Sequence, residues 1–243
     1  MTFGFFDSGM GGLFMMESCI QIYPNHTYIY VGDTAHLPYG PRSTGKILSL
    51  MSPHLLWLFE EQQCDYVIIA CNTAGVAATK DFIKLHPEYQ SRIINIVDAT
   101  LNYLHTLESC EMLVLATQGT INHGVYTSLP DHIVTGVAMP GLVDLIESGD
   151  VAGAEAMVYD ALLYHPRIHT VLLACTHYAY LAQALQSAFP QYQFITQDVC
   201  LHKALEQLLQ KTTSDETGSS TYYVSGDPSV YTERFGKDVI QRD

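Results

Sequence analysis

Short apolar runs rich in β-branched and aromatic residues recur along the chain, each followed by a stretch with amphipathic helical spacing. The runs predict strands over Phe3–Phe6, Thr27–Val31, Tyr66–Ala70, Ile93–Val97, Met112–Ala116, Ile133–Ala138, Thr170–Ala174 and Gln193–Thr196. Helical spacing is clearest over Gly45–Gln63, Thr73–His86, Gly141–His165 and His177–Phe189. Alternation of this kind predicts an α/β fold of parallel sheets covered by helices. Pro53 is expected to start a helix or kink one. The polar, Gly/Ser-rich segment Thr212–Thr221 is expected to be a linker or mobile loop.

The two halves of the chain echo one another. Phe3–Phe6 leads into Asp7-Ser8-Gly9, and Met112–Ala116 leads into Thr117-Gln118-Gly119-Thr120. At matching places downstream, Ile68-Ile69-Ala70 ends at Cys71 and Leu172-Leu173-Ala174 ends at Cys175. Ligands of open parallel sheets bind at the carboxyl ends of the strands. Each thiol is therefore expected at a binding edge, with the site between two similar α/β units. A buried cysteine taken singly is most often a small hydrophobe. Two in equivalent contexts suggest opposed acid–bases, the arrangement that inverts a carbon centre. His177 is a reasonable partner for Cys175, since a thiol near its ordinary pKa of about 8.5 needs help to ionise at neutral pH.

The segment Asp7-Ser8-Gly9-Met10-Gly11-Gly12 turns from strand to helix. Its glycines let backbone amides approach a ligand, and a helix start favours an anion. It has neither the Lys-Ser/Thr ending of a P-loop nor dinucleotide-fingerprint spacing, so it reads as a carboxylate cradle or as a plain tight turn. Asp7 closes an apolar strand, where a carboxylate is either a helix cap or a functional group. The loop Gly32–Gly40 places Tyr39 over a cleft or forms a rigid surface turn. Glu147 alone is an ordinary solvated charge.

Composition narrows the class. The 243 residues are 48% hydrophobic and 15% charged, as in a globular chain. A net charge of −14 argues against general nucleic-acid binding and leaves an anionic substrate to be held locally by amides and hydroxyls. No apolar run reaches the roughly 20 residues that span a bilayer. The start of the chain lacks a basic region before its apolar stretch, so a cytoplasmic enzyme without a signal peptide is expected. The six cysteines form no C-x-x-C pair and match no common zinc spacing, and no lysine ends a strand as a Schiff-base group. Neither a metal nor another cofactor is expected.

Taken in order, FDSGMGGL at 6–13, YVGDTAHLPYG at 30–40, ACNTA at 70–74, ATQGTI at 116–121, GLVDLIESG at 141–149, ACTHY at 174–178 and YYVSGDP at 222–228 resemble the glutamate racemases of the cofactor-independent aspartate/glutamate racemase family. The resemblance implies two pseudosymmetric parallel-sheet α/β domains, residues 1–97 with 210–243 and residues 98–209, with glutamate in the cleft between them. It implies that Cys71 and Cys175 act on opposite faces of the α-carbon, Cys71 taking the proton from D-glutamate and Cys175 from L-glutamate. Asp7 is implied to assist Cys71, and Glu147 and His177 to assist Cys175. Asp7, Ser8, Tyr39, Gly40, Asn72, Thr73, Thr120, Thr176 and His177 match substrate-binding positions. The D-glutamate formed would supply peptidoglycan synthesis, and a homodimer is compatible with the family. Without a segment before the first strand, regulation through one by a cell-wall precursor is not expected.

Gly75, His36, Asp98 and Ala179-Tyr180 depart from the family pattern and bear on side-chain specificity. The alternatives are a racemase of the same family acting on aspartate or another amino acid, and a catalytically silent amino-acid-binding protein.

Overall fold

The computed structural model describes residues 1–209 and 218–242, and among these ten strands form two parallel sheets. The strands are β1 (Thr2–Asp7), β2 (Thr27–Gly32), β3 (Tyr66–Ile69), β4 (Ile93–Asn95), β5 (Glu111–Ala116), β6 (Ile133–Ala138), β7 (Thr170–Ala174), β8 (Gln193–Ile195), β9 (Ser220–Val224) and β10 (Val239–Gln241). One sheet runs β10-β9-β2-β1-β3-β4 and the other β6-β5-β7-β8. The inner order β2-β1-β3-β4 thus repeats as β6-β5-β7-β8, the structural form of the echo between the halves. The protein consists of two parallel-sheet α/β domains. The strands β9 and β10 were not anticipated; they extend the first sheet beyond β2, with Tyr28 opposite Ser220 and Gly32 opposite Val224.

The helices are α1 (Gly11–Ile22), α2 (Thr44–Glu60), α3 (Asn72–Ala77), α4 (Thr79–Leu85), α5 (Ile96–Leu104), α6 (Gln118–His123), α7 (Leu142–Ser148), α8 (Val151–Tyr164), α9 (Ala182–Ala188), α10 (Gln197–Leu209) and α11 (Pro228–Phe235). Several expected elements are divided. The strand expected over Ile93–Val97 stops at Asn95, whose side chain accepts the Val97 N–H at 3.0 Å and caps α5. The helix expected over Gly141–His165 breaks at Gly149, which sits in the left-handed region at φ 80°. Thr73–His86 divides at Ala78, and His177–Phe189 opens with a 3-10 turn over Thr176–Leu181. Pro53 lies in the interior of α2 with its ring exposed. Of the expected linker, residues 212–217 lie outside the described residues, as does the expected domain boundary at 210, while Ser220 and Thr221 begin β9.

Alternation along β1 sorts the core. Phe6, with Val31 and Ile69 on its neighbours, packs among Ile47, Met51 and Leu55 of α2. Phe3 and Phe5 belong to a second cluster that continues through α1 into β5 and β7 of the other sheet. The two sheets therefore share one apolar mass, which fixes their facing strand ends. Parallel register sets Phe6 opposite Ile69 and Ala116 opposite Ala174, so Asp7, Cys71, Thr117 and Cys175 all emerge at carboxyl ends.

Candidate active site

These strand ends enclose a pocket of about 30 Å³ lined by Asp7, Ser8, Tyr39, Gly40, Cys71, Asn72, Thr73, Thr117, Cys175, Thr176 and His177. Both thiols are nearly inaccessible, at 5% for Cys71 and 6% for Cys175. Of the residues singled out in the sequence, Glu147 and Thr120 stand one layer back. Beyond the pocket the cleft widens into about 520 Å³ of open space between the Pro38–Arg42 loop and the starts of α6 and α7.

On one side, Cys71 Sγ lies 3.3 Å from Ser8 Oγ, and the Ser8 hydroxyl points to Asp7 Oδ1 at 3.4 Å. Ser8 has a single proton; when it goes to Asp7, Cys71 is the donor to Ser8. Burial, reinforced by the nearby Asp7 charge, pushes the Cys71 thiol up to about 12, against hydrogen bonds that favour thiolate. The thiol is thus protonated in this form. Burial also raises the Asp7 carboxyl, opposed by the His177 charge and by hydrogen bonds from Thr176 and Gly9. Both Asp7 oxygens are engaged: Thr176 donates from the other domain at 2.9 Å, and the Gly9 N–H donates at 3.3 Å.

On the other side, Cys175 Sγ is 3.9 Å from His177 Nδ1, and His177 Nε2 is 2.7 Å from Glu147 Oε1. The carboxylate accepts, so Nε2 carries a hydrogen and Nδ1 faces the sulfur. Burial alone would lower the imidazole; hydrogen bonding to Cys175 and Glu147, together with their charges, outweighs it and pushes His177 up to about 10. This thiol–imidazole–carboxylate array differs from the thiol–hydroxyl–carboxylate array opposite. The sheets are alike, but their acid–base groups are not.

The glycine-rich turn after β1 reads in sequence as a cradle for a ligand carboxylate or as a plain tight turn. Two of its amides instead bind the protein's own carboxylates, Gly9 N–H to Asp7 and Met10 N–H to Glu147 at 3.3 Å. Gly11 is needed for close packing. A Cβ there would overlap Thr176 and lie 2.7 Å from the His177 backbone nitrogen.

Some expected binding side chains are already committed. The Asn72 amide pairs with the Gln197 amide at the start of α10, and Tyr126 donates to Asn72 Oδ1 at 2.7 Å. The Tyr39 hydroxyl donates to Asp33 Oδ2 at 2.7 Å. Thr73, Thr117 and Thr120 form a hydroxyl chain with 3.1 Å steps, and both of its ends, Thr73 and Thr120, are buried. Sequence reasoning did not single out Gln197, Tyr126, Asp33 or Thr117. Asp33 and Thr117 each follow an apolar strand directly, the same signal that marked Asp7.

The departures also acquire places. A Cβ on Gly75 would stand 2.6 Å from Asn95 Oδ1 and 2.9 Å from Val97, so Gly75 is matched to the Asn95 cap. His36 bonds Asp33 Oδ1 at 2.8 Å. Asp98 lies in the first turn of α5, and the Tyr180 hydroxyl donates to the Met10 carbonyl at 3.2 Å.

The family model described as Asp/Glu/Hydantoin racemase matches residues 10–199. A glutamate racemase of Pseudomonas putida is 31% identical over 240 residues, covering 93% of this chain and 89% of that protein. One from Clostridium perfringens is 33% identical over 192 residues, 75% of this chain and 73% of the relative. Among solved structures, glutamate racemase from Francisella tularensis in complex with D-glutamate superposes with a TM-score of 0.82 at 25% identity, covering 100% of this chain and 97% of that one. A glutamate racemase isoform from Bacillus anthracis gives 0.83 at 25% identity over the same shares.

Proposed function

The chain belongs to the Asp/Glu/Hydantoin racemase family, and we propose that it interconverts L- and D-glutamate by proton transfer between two thiols, without a cofactor. One observation carries the mechanism: Cys71 and Cys175 end equivalent strands of the two sheets and line a single pocket, each backed by a different carboxylate array.

In the L-to-D direction, Cys175 as thiolate takes the α-proton and the Cys71 thiol delivers a proton to the opposite face. The thiol state of Cys71 in this form suits that step. In reverse, Cys71 must first lose its proton, and Asp7, reached through Ser8, is the carboxylate placed to take it. His177 and Glu147 serve Cys175 in the same way. The α-proton of an amino acid is weakly acidic, so exclusion of water and fixed dipoles around the forming carbanion carry much of the barrier. On this reading the enzyme works in the cytoplasm, and its D-glutamate supplies peptidoglycan synthesis.

The test is incubation with L-glutamate, D-glutamate and each aspartate enantiomer in deuterated water, followed by chiral chromatography and mass spectrometry. Glutamate is expected to racemise with solvent deuterium at the α-carbon of the product enantiomer. Cys71→Ser and Cys175→Ser should each lose roughly 10²–10⁴-fold in turnover. Near-normal turnover by either variant, or return of the substrate's own proton, would refute the two-thiol mechanism. Racemisation of aspartate alone would overturn the substrate assignment.

A further inference from the structure

Asp7 closes β1 and Asp33 directly follows β2, and Asp33 is fully buried without lining the pocket. Burial alone would raise its carboxyl, but hydrogen bonds from His54, His36, Tyr39 and Ser225 hold it well below the ordinary range. The geometry is tight. Oδ2 accepts the Tyr39 hydroxyl at 2.7 Å; Oδ1 accepts the Ser225 hydroxyl at 2.7 Å and contacts His36 Nδ1 at 2.8 Å. His54 Nδ1 accepts from Arg242 at 2.8 Å, which leaves its Nε2 to carry a hydrogen toward Asp33 Oδ1 at 3.6 Å. The Asp33 N–H donates to the Asp7 carbonyl at 2.9 Å.

Ser225 and Arg242 belong to the returning segment that adds β9 and β10 to the first sheet. Ser225 also accepts the Ala35 N–H at 3.0 Å, and its own N–H donates to the Gly32 carbonyl at 3.0 Å. Asp33 therefore joins three pieces of chain: the end of β2, the Tyr39–Gly40 wall of the pocket, and the segment after β9.

We propose that Asp33 is a positioning residue: by holding the Tyr39 hydroxyl on one oxygen and Ser225 on the other, it fixes the Tyr39–Gly40 wall over Cys71 and couples that wall to the returning strands. The proposal rests on the racemase reading for its kinetic consequence but not for its geometry. A donor count sharpens it. The only hydroxyl proton of Tyr39 goes to Asp33, so the phenol oxygen can only accept. It does not bind a substrate carboxylate, and the wall's contact with one falls to backbone N–H groups.

The test uses Ser225→Ala, Tyr39→Phe, Asp33→Asn and the double variant Asp33→Asn/Tyr39→Phe in the full chain. Ser225→Ala and Tyr39→Phe should each raise KM for glutamate about tenfold, the scale of one hydrogen bond to a charged group, with kcat within about twofold. The double variant should be no worse than Asp33→Asn alone, because the two residues act through one bond. The second readout needs no substrate: the rate of Cys71 carboxamidomethylation by iodoacetamide, followed by peptide mass spectrometry. Loosening the wall should speed Cys71 modification severalfold in Ser225→Ala while the core thiol Cys19 reacts as before. A purely structural role would lower Tm and speed both thiols together. Unchanged KM and unchanged Cys71 reactivity in folded Ser225→Ala and Tyr39→Phe would overturn the proposal, even if Asp33→Asn failed to fold. If the wild-type chain did not racemise glutamate, the racemase reading would fail, and the thiol readout would still decide the role of Asp33.

Discussion

The Thr176 hydroxyl crosses between the domains to donate to Asp7 Oδ2 at 2.9 Å, so the carboxylate behind one thiol is held by the domain that carries the other. Neither thiol's hydrogen-bonded array is complete within its own sheet, since the Met10 N–H likewise donates to Glu147 from the first domain.

Thr176→Val removes that hydrogen bond while keeping the side chain's shape. The bond favours the ionised carboxylate, so its loss should raise the Asp7 pKa further. The acid limb of the pH–rate profile is expected to move to higher pH, and stability to fall by about 1 kcal/mol. Both directions must lose kcat/KM equally, since the enantiomers are equal in energy. An unmoved acid limb would separate Asp7 from catalysis.

His177 gives a stability signature of opposite sign. Its folded-state pKa is raised from 6.5 to about 10. The stabilisation is therefore full below about pH 6.5 and is lost as pH rises toward 10. Thermal melts of wild type should fall more steeply across that window than those of His177→Asn or Glu147→Gln. Parallel curves would mean that the imidazolium is not favoured in the folded state.

Gly75→Ala should destabilise by about 1–3 kcal/mol, because the new methyl meets Asn95 Oδ1 and Val97 in a filled space. Urea melts of Gly75→Ala with Asn95→Ala should recover part of the loss, whereas simple additivity of the two changes would deny the pairing.

Gln197→Leu breaks the buried amide pair and leaves Asn72 and Thr100 short of partners. The expected loss is about 1–3 kcal/mol in urea unfolding. A raised KM for glutamate should accompany it, since Asn72 lines the pocket.

The central strands and both thiols were legible because parallel strands covered on two faces read as unbroken apolar runs. Cys71 and Cys175 stood out by ending such runs. Helix breaks were less visible. Gly149 and Ala78 interrupt stretches whose amphipathic spacing continues on either side, and Asn95 turns strand to helix through one side-chain bond. Glu147 could not be distinguished from a surface charge, because its meaning comes from His177 and Met10, distant in sequence. Gln197 gave no local signal, since its partners come from α3, α5 and the segment after α6. The returning strands were missed because Ser220–Val224 directly follows a polar segment and pairs with β2 across most of the chain.

That last pairing sets an order in time. Tyr28 and Ser220 are register partners, and at ribosomal speeds of ~5–20 residues per second about ten to forty seconds separate their synthesis. The strands β5 to β8 emerge within that interval and can pair among themselves, while β2 waits with an open edge. Until Ser225 arrives, Asp33 lacks its anchor, and a nascent chain that already holds both thiols has only one finished wall. The bond from Ser225 to Asp33 comes with the late strands, after both thiols have been made.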